Sequence, residues 1–375
     1  MKRILFFSHS ASLSGAPLLL FEVANLLNRT GYECIFVIAE PGPLVDRFET
    51  IGSTMVEPFF PPGLKYWREV RRFRRRVRLL RMLKPDLLYC NTIHAAKWLF
   101  YARLLDIPAL SHVHELSMGF DAVGISERFN LRHFSDRFIA VSKSVKEFLV
   151  SQQRIPSEKI QVIHAGIRVE QFRKNHNADQ LRSELGLDGA IVVGTVGRIT
   201  HMKGSDLFLE LAARLRSTGR PEARIKYLVV GTTEDRAFYS RFQSMIEQHG
   251  LRSDIVFLEQ ITDVAQYYGV MDIFVSTSRE DPFPLVVLEA MASGKPVVAF
   301  GTGGIPEAVT PECGVLIDKL DVVAMVASID RLIGDPGGRA SMGKAGRTRV
   351  EEFFDISKNI RAIKSIVDVT VRGAG

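Results

Sequence analysis

Short runs of β-branched and aromatic residues alternate with longer amphipathic stretches along this chain, and the series runs twice. The strand candidates of the first half are RILFFS, ECIFVIA, PDLLYCN, PALSHVH, RFIAVS and IQVIHAG; those of the second are AIVVGTVG, IKYLVVG, IVFLE, DIFVST, KPVVAF and GVLI. Most are apolar without strict alternation, the pattern of strands covered on both faces. Between them lie helical periodicities such as PLLLFEVANLLNRTG, which stops at Gly31, and LFLELAARLRSTG, which stops at Gly219. Strand and helix in alternation imply parallel sheets, so the expected class is α/β with two doubly wound, Rossmann-like domains. A polar stretch without strand signal, RVEQFRKNHNADQLRSELGLDG, separates the halves. The expected domains are 1–166 and 167–350, followed by 351–375, with a single closing helix over about 350–371.

Length fits this division, since 375 residues suffice for two domains of about 150 residues. A chain that is 46% hydrophobic and 24% charged is not disordered, collagen-like or a coiled coil. The three cysteines are scattered without ligand or redox spacing, which suits a reducing compartment. The start MKRILFFSHS carries too short an apolar run for a signal peptide and reads as a strand. No apolar run approaches the roughly 18–20 residues of a membrane span, so an integral membrane protein is not expected.

The net charge of +7 has one source. Residues 65–84, KYWREVRRFRRRVRLLRMLK, hold ten Lys or Arg and one acid; the remainder has 39 basic and 41 acidic residues, a net of −2. Trp67, Val70, Phe73, Val77 and Leu80 recur at helical spacing, widened by Tyr66, Leu79, Met82 and Leu83. Arg71, Arg72, Arg74, Arg75, Arg76 and Arg78 fill the other positions, giving an amphipathic basic helix suited to an anionic membrane. The plainer alternative is a stripe packed on the sheet with solvated arginines. Nucleic acid competes for such a patch, but no recognition motif accompanies it, and none is expected as a partner.

Three strand-to-helix turns concentrate chemistry. In residues 278–300, SREDPFPLVVLEAMASGKPVVAF, Pro284 is placed to start a helix that stops at Gly294. Asp281 then lies in the loop before that helix and Glu289 within it, both toward the carboxyl ends of the strands, where doubly wound folds bind ligands. The helix start suits a phosphate, although spacing alone equally allows an ordinary loop and helix. In residues 193–210, Gly197 permits a tight turn before Arg198 and Lys203, a fork of donors and a point charge suited to a diphosphate. Two solvated cations are the alternative. Near the N-terminus, Ser14-Gly15-Ala16-Pro17 opens a helix without the G-x-G-x-x-G fingerprint, against a nicotinamide or flavin cofactor. His114 and Glu115 close the strand PALSHVH on the crevice side, although a lone histidine is more often a structural residue. Neither H-E-x-x-H nor Asp-x-Asp occurs, so no metal site is expected.

Together these motifs carry a resemblance. GRITHMKG, DIFVSTS, DPFPLVVLEAMASGKPVVAF and GGIPEAV, in that order and separation, resemble the retaining, nucleotide-sugar-dependent glycosyltransferases of family 4. SGAP, HVHEL, FIAVSKSVKEFL and VIHAGIRVEQF resemble segments of the family's first half. The resemblance implies the GT-B fold, two Rossmann-like domains facing across a cleft. The first would bind a lipid-linked or glycan acceptor and the second a nucleoside-diphosphate sugar, with the last helix crossing back to the first domain. It implies that Arg198 and Lys203 neutralise the leaving diphosphate, that Glu289 binds the ribose and that Asp281 contacts the donor sugar. Backbone N–H groups of Leu285 and Val286 would bind phosphate, His114 would lie near the anomeric region, and Gly15, Gly197 and Phe283 complete the donor set. Base recognition falls to backbone near FLEQIT. Asp281 stands where the family has Glu, Pro284 where it has Gly, and Ala165 where Asn is frequent.

The implied activity is retaining, metal-independent hexosyl transfer from a UDP- or GDP-sugar. It would serve cell-surface polysaccharide, lipopolysaccharide or glycolipid synthesis on the cytoplasmic face of the cell membrane. A sugar-nucleotide 2-epimerase and an inactive peripheral membrane protein on the same scaffold are the alternatives.

Overall fold

Strands of each half pair in parallel throughout, because every connection between them is long enough to carry a helix across a face of the sheet. The computed structural model describes residues 1–57, 65–173, 177–219, 223–233, 235–259, 263–318 and 320–372, with backbone only for 65–70. The first sheet contains β1 (Lys2–Ser10), β2 (Tyr32–Glu40), β3 (Ser53–Val56), β4 (Leu87–Asn91), β5 (Ala109–Val113), β6 (Arg137–Ala140) and β7 (Ile160–Val162). Their order is β3-β2-β1-β4-β5-β6-β7. The second sheet contains β8 (Ile191–Val196), β9 (Ile225–Val230), β10 (Ile255–Leu258), β11 (Ile273–Ser276), β12 (Val297–Phe300) and β13 (Gly314–Ile317), ordered β10-β9-β8-β11-β12-β13. In both, the chain reverses its direction of travel across the sheet beside the first strand. This switch point lies between β1 and β4 in one sheet and between β8 and β11 in the other, and doubly wound folds bind ligands there.

The chain divides into two compact units. One is Met1–Ala165 together with the segment from Ser357 onward; the other is Gly166–Ile356. The core of the first centres on β1, where Ile4, Leu5 and Phe6 are fully buried. The Phe6 ring stacks on Phe36 at 5.3 Å and that of Phe7 on Trp98 at 4.1 Å. In the second, Phe208, Tyr227, Phe242, Val275, Val298 and Ile329 form the buried centre.

Two sequence expectations are corrected. Strand β3 is absent from the sequence candidates; it is a four-residue, half-exposed edge strand with no continuous apolar run to announce it. The single closing helix is two, Pro336–Phe353 and Ile356–Arg372. Phe354 is buried, and Asp355 forms a parallel bridge with Ile167. Ile167 donates its N–H to Phe354 O at 3.0 Å and accepts from Ile356 N at 2.9 Å, which takes these groups out of the helical ladder. The final helix belongs to the first unit, with Ile363 and Val367 buried. Tyr32 donates to Asp368 at 2.6 Å, and Asn359 donates to the His164 carbonyl at 2.8 Å. Among the described residues no helix is long and apolar enough to cross a membrane.

Candidate functional site

The switch point of the second sheet gathers the charged residues of two turns. β8 runs into Gly197, whose φ of +146° a side chain would strain. The loop then carries Arg198 and Lys203 to Gly204, the cap of the helix Ser205–Ser217. A Cβ on Gly204 would meet the Thr277 carbonyl oxygen at 1.9 Å, and Thr277 Oγ1 donates to the Gly204 carbonyl at 2.8 Å. These contacts bring the loop after β8 against the loop after β11. Gly197, Arg198, Lys203, Ser276, Ser278 and Val286 line one pocket.

Asp281 lies beneath this pocket, 2% exposed. Lys203 Nζ, itself partly exposed, is 2.7 Å from the buried Asp281 Oδ2, which leaves little Asp281 surface for a ligand while the pair stands. Arg279, which the sequence reading did not single out, holds the loop from behind. Its guanidinium donates to Asp206 Oδ1 and Oδ2 at 2.7 and 2.8 Å and to the His201 carbonyl at 2.7 Å; its own N–H donates to the Met202 carbonyl at 2.8 Å. This fork keeps the Asp206 carboxyl below its ordinary range, against the opposing effect of its burial.

The helix Leu285–Ala292 points its N-terminus toward the same turns. Of its first two N–H groups, that of Leu285 is already engaged with the Phe283 carbonyl at 3.2 Å. Pro284, at φ −90° and ψ 82°, closes this three-residue inverse γ-turn, so the Leu285 N–H is turned to its own loop, while Val286 lines the pocket. Phe283 is 7% exposed and packs on Phe354 at a ring distance of 5.6 Å. Glu289 accepts from the hydroxyl of buried Tyr268 at 2.6 Å. Burial pushes its carboxyl up to about 7, with the Tyr268 hydrogen bond acting in the opposite direction. Glu289 lies outside the lining of the Arg198 pocket. The expected base contacts near FLEQIT fall partly on residues 260–262, outside the described residues.

Gly15 and His114 belong to the first unit, at its own switch point. Gly15 opens the helix Gly15–Arg29 behind a chain of hydroxyls in which Ser10, Ser12 and Ser14 are linked at 3.0 and 2.8 Å. Asn91, at the end of β4, donates its amide to the Ala16 carbonyl at 3.2 Å and meets His114 Nε2 through Oδ1 at 3.0 Å. Glu115 Oε2 accepts from the N–H groups of His114 and Ile93 at 3.0 and 3.3 Å, yet burial raises its carboxyl to about 7. Desolvation, aided by His9, lowers His114 to about 3. Buried His112 meets the Tyr89 hydroxyl at 2.7 Å and lies 4.1 Å from the His114 ring. Thr92 holds φ at +77°, a strained conformation for a β-branched residue, with its hydroxyl 3.1 Å from His9 Nδ1. Sequence reasoning missed Asn91 because no local pattern marks it. Among the described residues no group of three or more His, Cys, Asp or Glu is placed to hold a metal.

The basic helix spans Lys65–Leu83. Arg71, Arg74, Arg75 and Arg78 are exposed, and Arg72 is half-buried. Arg76 departs from the expected membrane-facing set. It is ion-paired to Glu57, which Lys97 also approaches at 3.2 Å, and its guanidinium lies 4.8 Å from the Trp98 ring. Arg76 is half-buried because the Glu57 carboxylate and the Trp98 ring both engage its guanidinium. Leu80 is buried beneath the helix while Phe73 stays 38% exposed; beyond it Phe100, Leu104 and Phe129 are also exposed. The side chains of Tyr66, Trp67 and Val70 lie outside the described residues.

Two parallel doubly wound units, each with its own switch point, are the architecture of a GT-B protein. The family models agree: "Glycosyltransferase Family 4" matches residues 13–171 and "Glycosyl transferases group 1" matches residues 177–349. The chain belongs to glycosyltransferase family 4. It is 33% identical over 215 residues to the lipopolysaccharide core biosynthesis mannosyltransferase LpsB of Rhizobium meliloti, covering 56% of this chain and 61% of that protein. It is 29% identical over 223 residues to the capsular polysaccharide biosynthesis glycosyltransferase CapM of Staphylococcus aureus, covering 58% of this chain and 57% of CapM. The matches thus span about three fifths of these relatives' own lengths. In fold it is similar to Anabaena HepE, solved with UDP and glucose, with a TM-score of 0.86 and 22% identity over 98% of this chain and 100% of HepE.

Proposed function

We propose that this chain is a retaining glycosyltransferase. It moves a hexosyl group from a nucleoside-diphosphate sugar, of the UDP or GDP type, to a lipid-linked or glycan acceptor in surface polysaccharide, lipopolysaccharide or glycolipid assembly. The observation that carries this is the meeting of Arg198, Lys203 and the start of the Leu285–Ala292 helix around one pocket. Two cations and a helix dipole suit a leaving diphosphate, whose developing charge is the main thing such a site must stabilise. In this reading they do so without a metal.

The diphosphate draws the Lys203 ammonium away from Asp281, and the carboxylate so released accepts from a sugar hydroxyl. Glu289 takes the ribose hydroxyls. The donor β-phosphate takes the acceptor proton, so the anomeric configuration is retained without an enzymic nucleophile. HepE, with its bound UDP and glucose, and the surface-glycan roles of LpsB and CapM favour the donor and acceptor classes. The second unit holds the donor and the first the acceptor. The exposed arginines beside Phe73, Phe100 and Phe129 suit peripheral contact with an anionic membrane on its cytoplasmic face.

Thermal denaturation with UDP, GDP, ADP and their sugars tests the donor step, since a ligand of the folded state alone raises the melting temperature. One nucleotide family should stabilise the wild type, and the Arg198→Ala, Lys203→Ala double variant should lose that stabilisation. No shift with any nucleotide at millimolar concentration overturns the reading. The anomeric coupling of the product, read by NMR, tests retention.

A further inference from the structure

The three strand ends of the first unit meet through one side chain. Asn91 closes β4, which pairs with β1 at Ser8 and with β5 at His112. Its side chain is fully buried, so its two amide ends must each find a complementary partner. The Ala16 carbonyl, 3.2 Å away, can only accept, so the NH2 end faces it. The opposite orientation would set two oxygens against each other. The Oδ1 end therefore faces His114 Nε2 at 3.0 Å. Oδ1 can only accept, so Nε2 carries the proton. In a neutral imidazole the remaining nitrogen, Nδ1, then holds a lone pair.

We propose that Asn91 is a positioning residue that locks His114 in its Nε2–H tautomer, so that His114 meets its ligand as a hydrogen-bond acceptor at Nδ1. The chemistry selected is a hydroxyl donor, such as that of a sugar or polyol; an anionic phosphate oxygen, itself an acceptor, is refused. The surroundings suit a neutral ring. Desolvation opposes its protonation, and Glu115 fixes the turn by accepting from the backbone of His114 and Ile93. Because Ala16 adjoins Gly15, the same amide ties the glycine turn after β1 to the end of β5. The identification of the hydroxyl as one on a sugar rests on the proposed transferase reading; the tautomer lock does not.

Histidine ring 15N shifts and couplings, with His114 assigned by comparison with His114→Gln, report the tautomer without any substrate. The wild type should show Nε2–H. Asn91→Leu, which fills the space without an acceptor, should give a mixture with Nδ1–H, and Asn91→Asp, which keeps the acceptor, should restore Nε2–H. An Nδ1–H wild type overturns the proposal whether or not the variants fold, and so does an unchanged tautomer in a folded Asn91→Leu. In transfer assays Asn91→Leu should lower kcat/KM about tenfold in the wild type but less than about twofold in His114→Ala, because a residue acting through another is not additive with it. Equal losses in both backgrounds overturn the proposal. Absence of any transfer, with the tautomer as expected, overturns the transferase reading alone.

Discussion

Glu289 and His114 are titratable groups displaced from their ordinary ranges in opposite senses. Burial raises Glu289 from 4.5 to about 7, so the folded chain holds a proton there that the unfolded chain has released. Its contribution to stability is complete below 4.5 and is lost as pH rises through about 7. His114, lowered from 6.5 to about 3, works the other way: its contribution is present above 6.5 and fades as pH falls toward about 3. Binding adds a second consequence. If Glu289 must be ionised to accept from a ribose, nucleotide affinity should rise across about pH 6 to 8. Glu289→Gln should lose that part of the pH dependence. Calorimetric titrations of both proteins across this range check it; parallel pH profiles would remove Glu289 from the binding surface.

Gly204 shows how two elements depend on one missing side chain. Its φ of +66° and the Thr277 oxygen 1.9 Å from a built Cβ leave Gly204→Ala no relaxed position. The variant should lose about 2 kcal/mol or more of stability in urea denaturation, together with nucleotide binding, because the displaced segment carries Lys203. A variant with wild-type midpoint and affinity would show that the two loops move independently. The glycine, the cation spacing and the strand before them were legible in the sequence, since they lie within one local turn. The engagement of the Leu285 N–H was not, because it depends on the ψ angle of Pro284. Asn91 escaped notice for a topological reason. Its partners Ala16 and His114 are 75 and 23 residues away, and only strand order brings them together. Edge strand β3 and the break at Phe354 were hidden because each is decided by a neighbour rather than by a run of residues. The alternation of strands and helices, by contrast, gave the α/β class directly.

At the scale of the molecule, charge is unevenly distributed. Outside residues 65–84 the chain has a net charge of −2, so the proposed contact with an anionic membrane rests on the exposed arginines of one helix. Replacing Arg71, Arg74, Arg75 and Arg78 with Gln should reduce sedimentation with anionic liposomes severalfold at low salt and leave the melting temperature nearly unchanged. Each such contact is worth about 1 kcal/mol at the membrane surface. Arg76→Gln should do the reverse, lowering stability by about 1–2 kcal/mol by leaving Glu57 to Lys97 alone and uncovering the Trp98 face. Equal liposome binding by the fourfold variant would detach the helix from any membrane role.

The final helix belongs to the first unit, although all of Gly166–Ile356 precedes it in the chain. The second unit is therefore an insertion within the first, and the order of synthesis differs from the order of assembly. On the ribosome the first sheet emerges early, but the helix carrying Ile363, Val367 and Asp368 is translated only after the whole of the second unit. Until then Tyr32 has no Asp368 to meet, and the surface that the helix covers faces solvent. The second unit, made of one continuous stretch, can finish folding first; the half of the protein that begins the chain is the half that must wait.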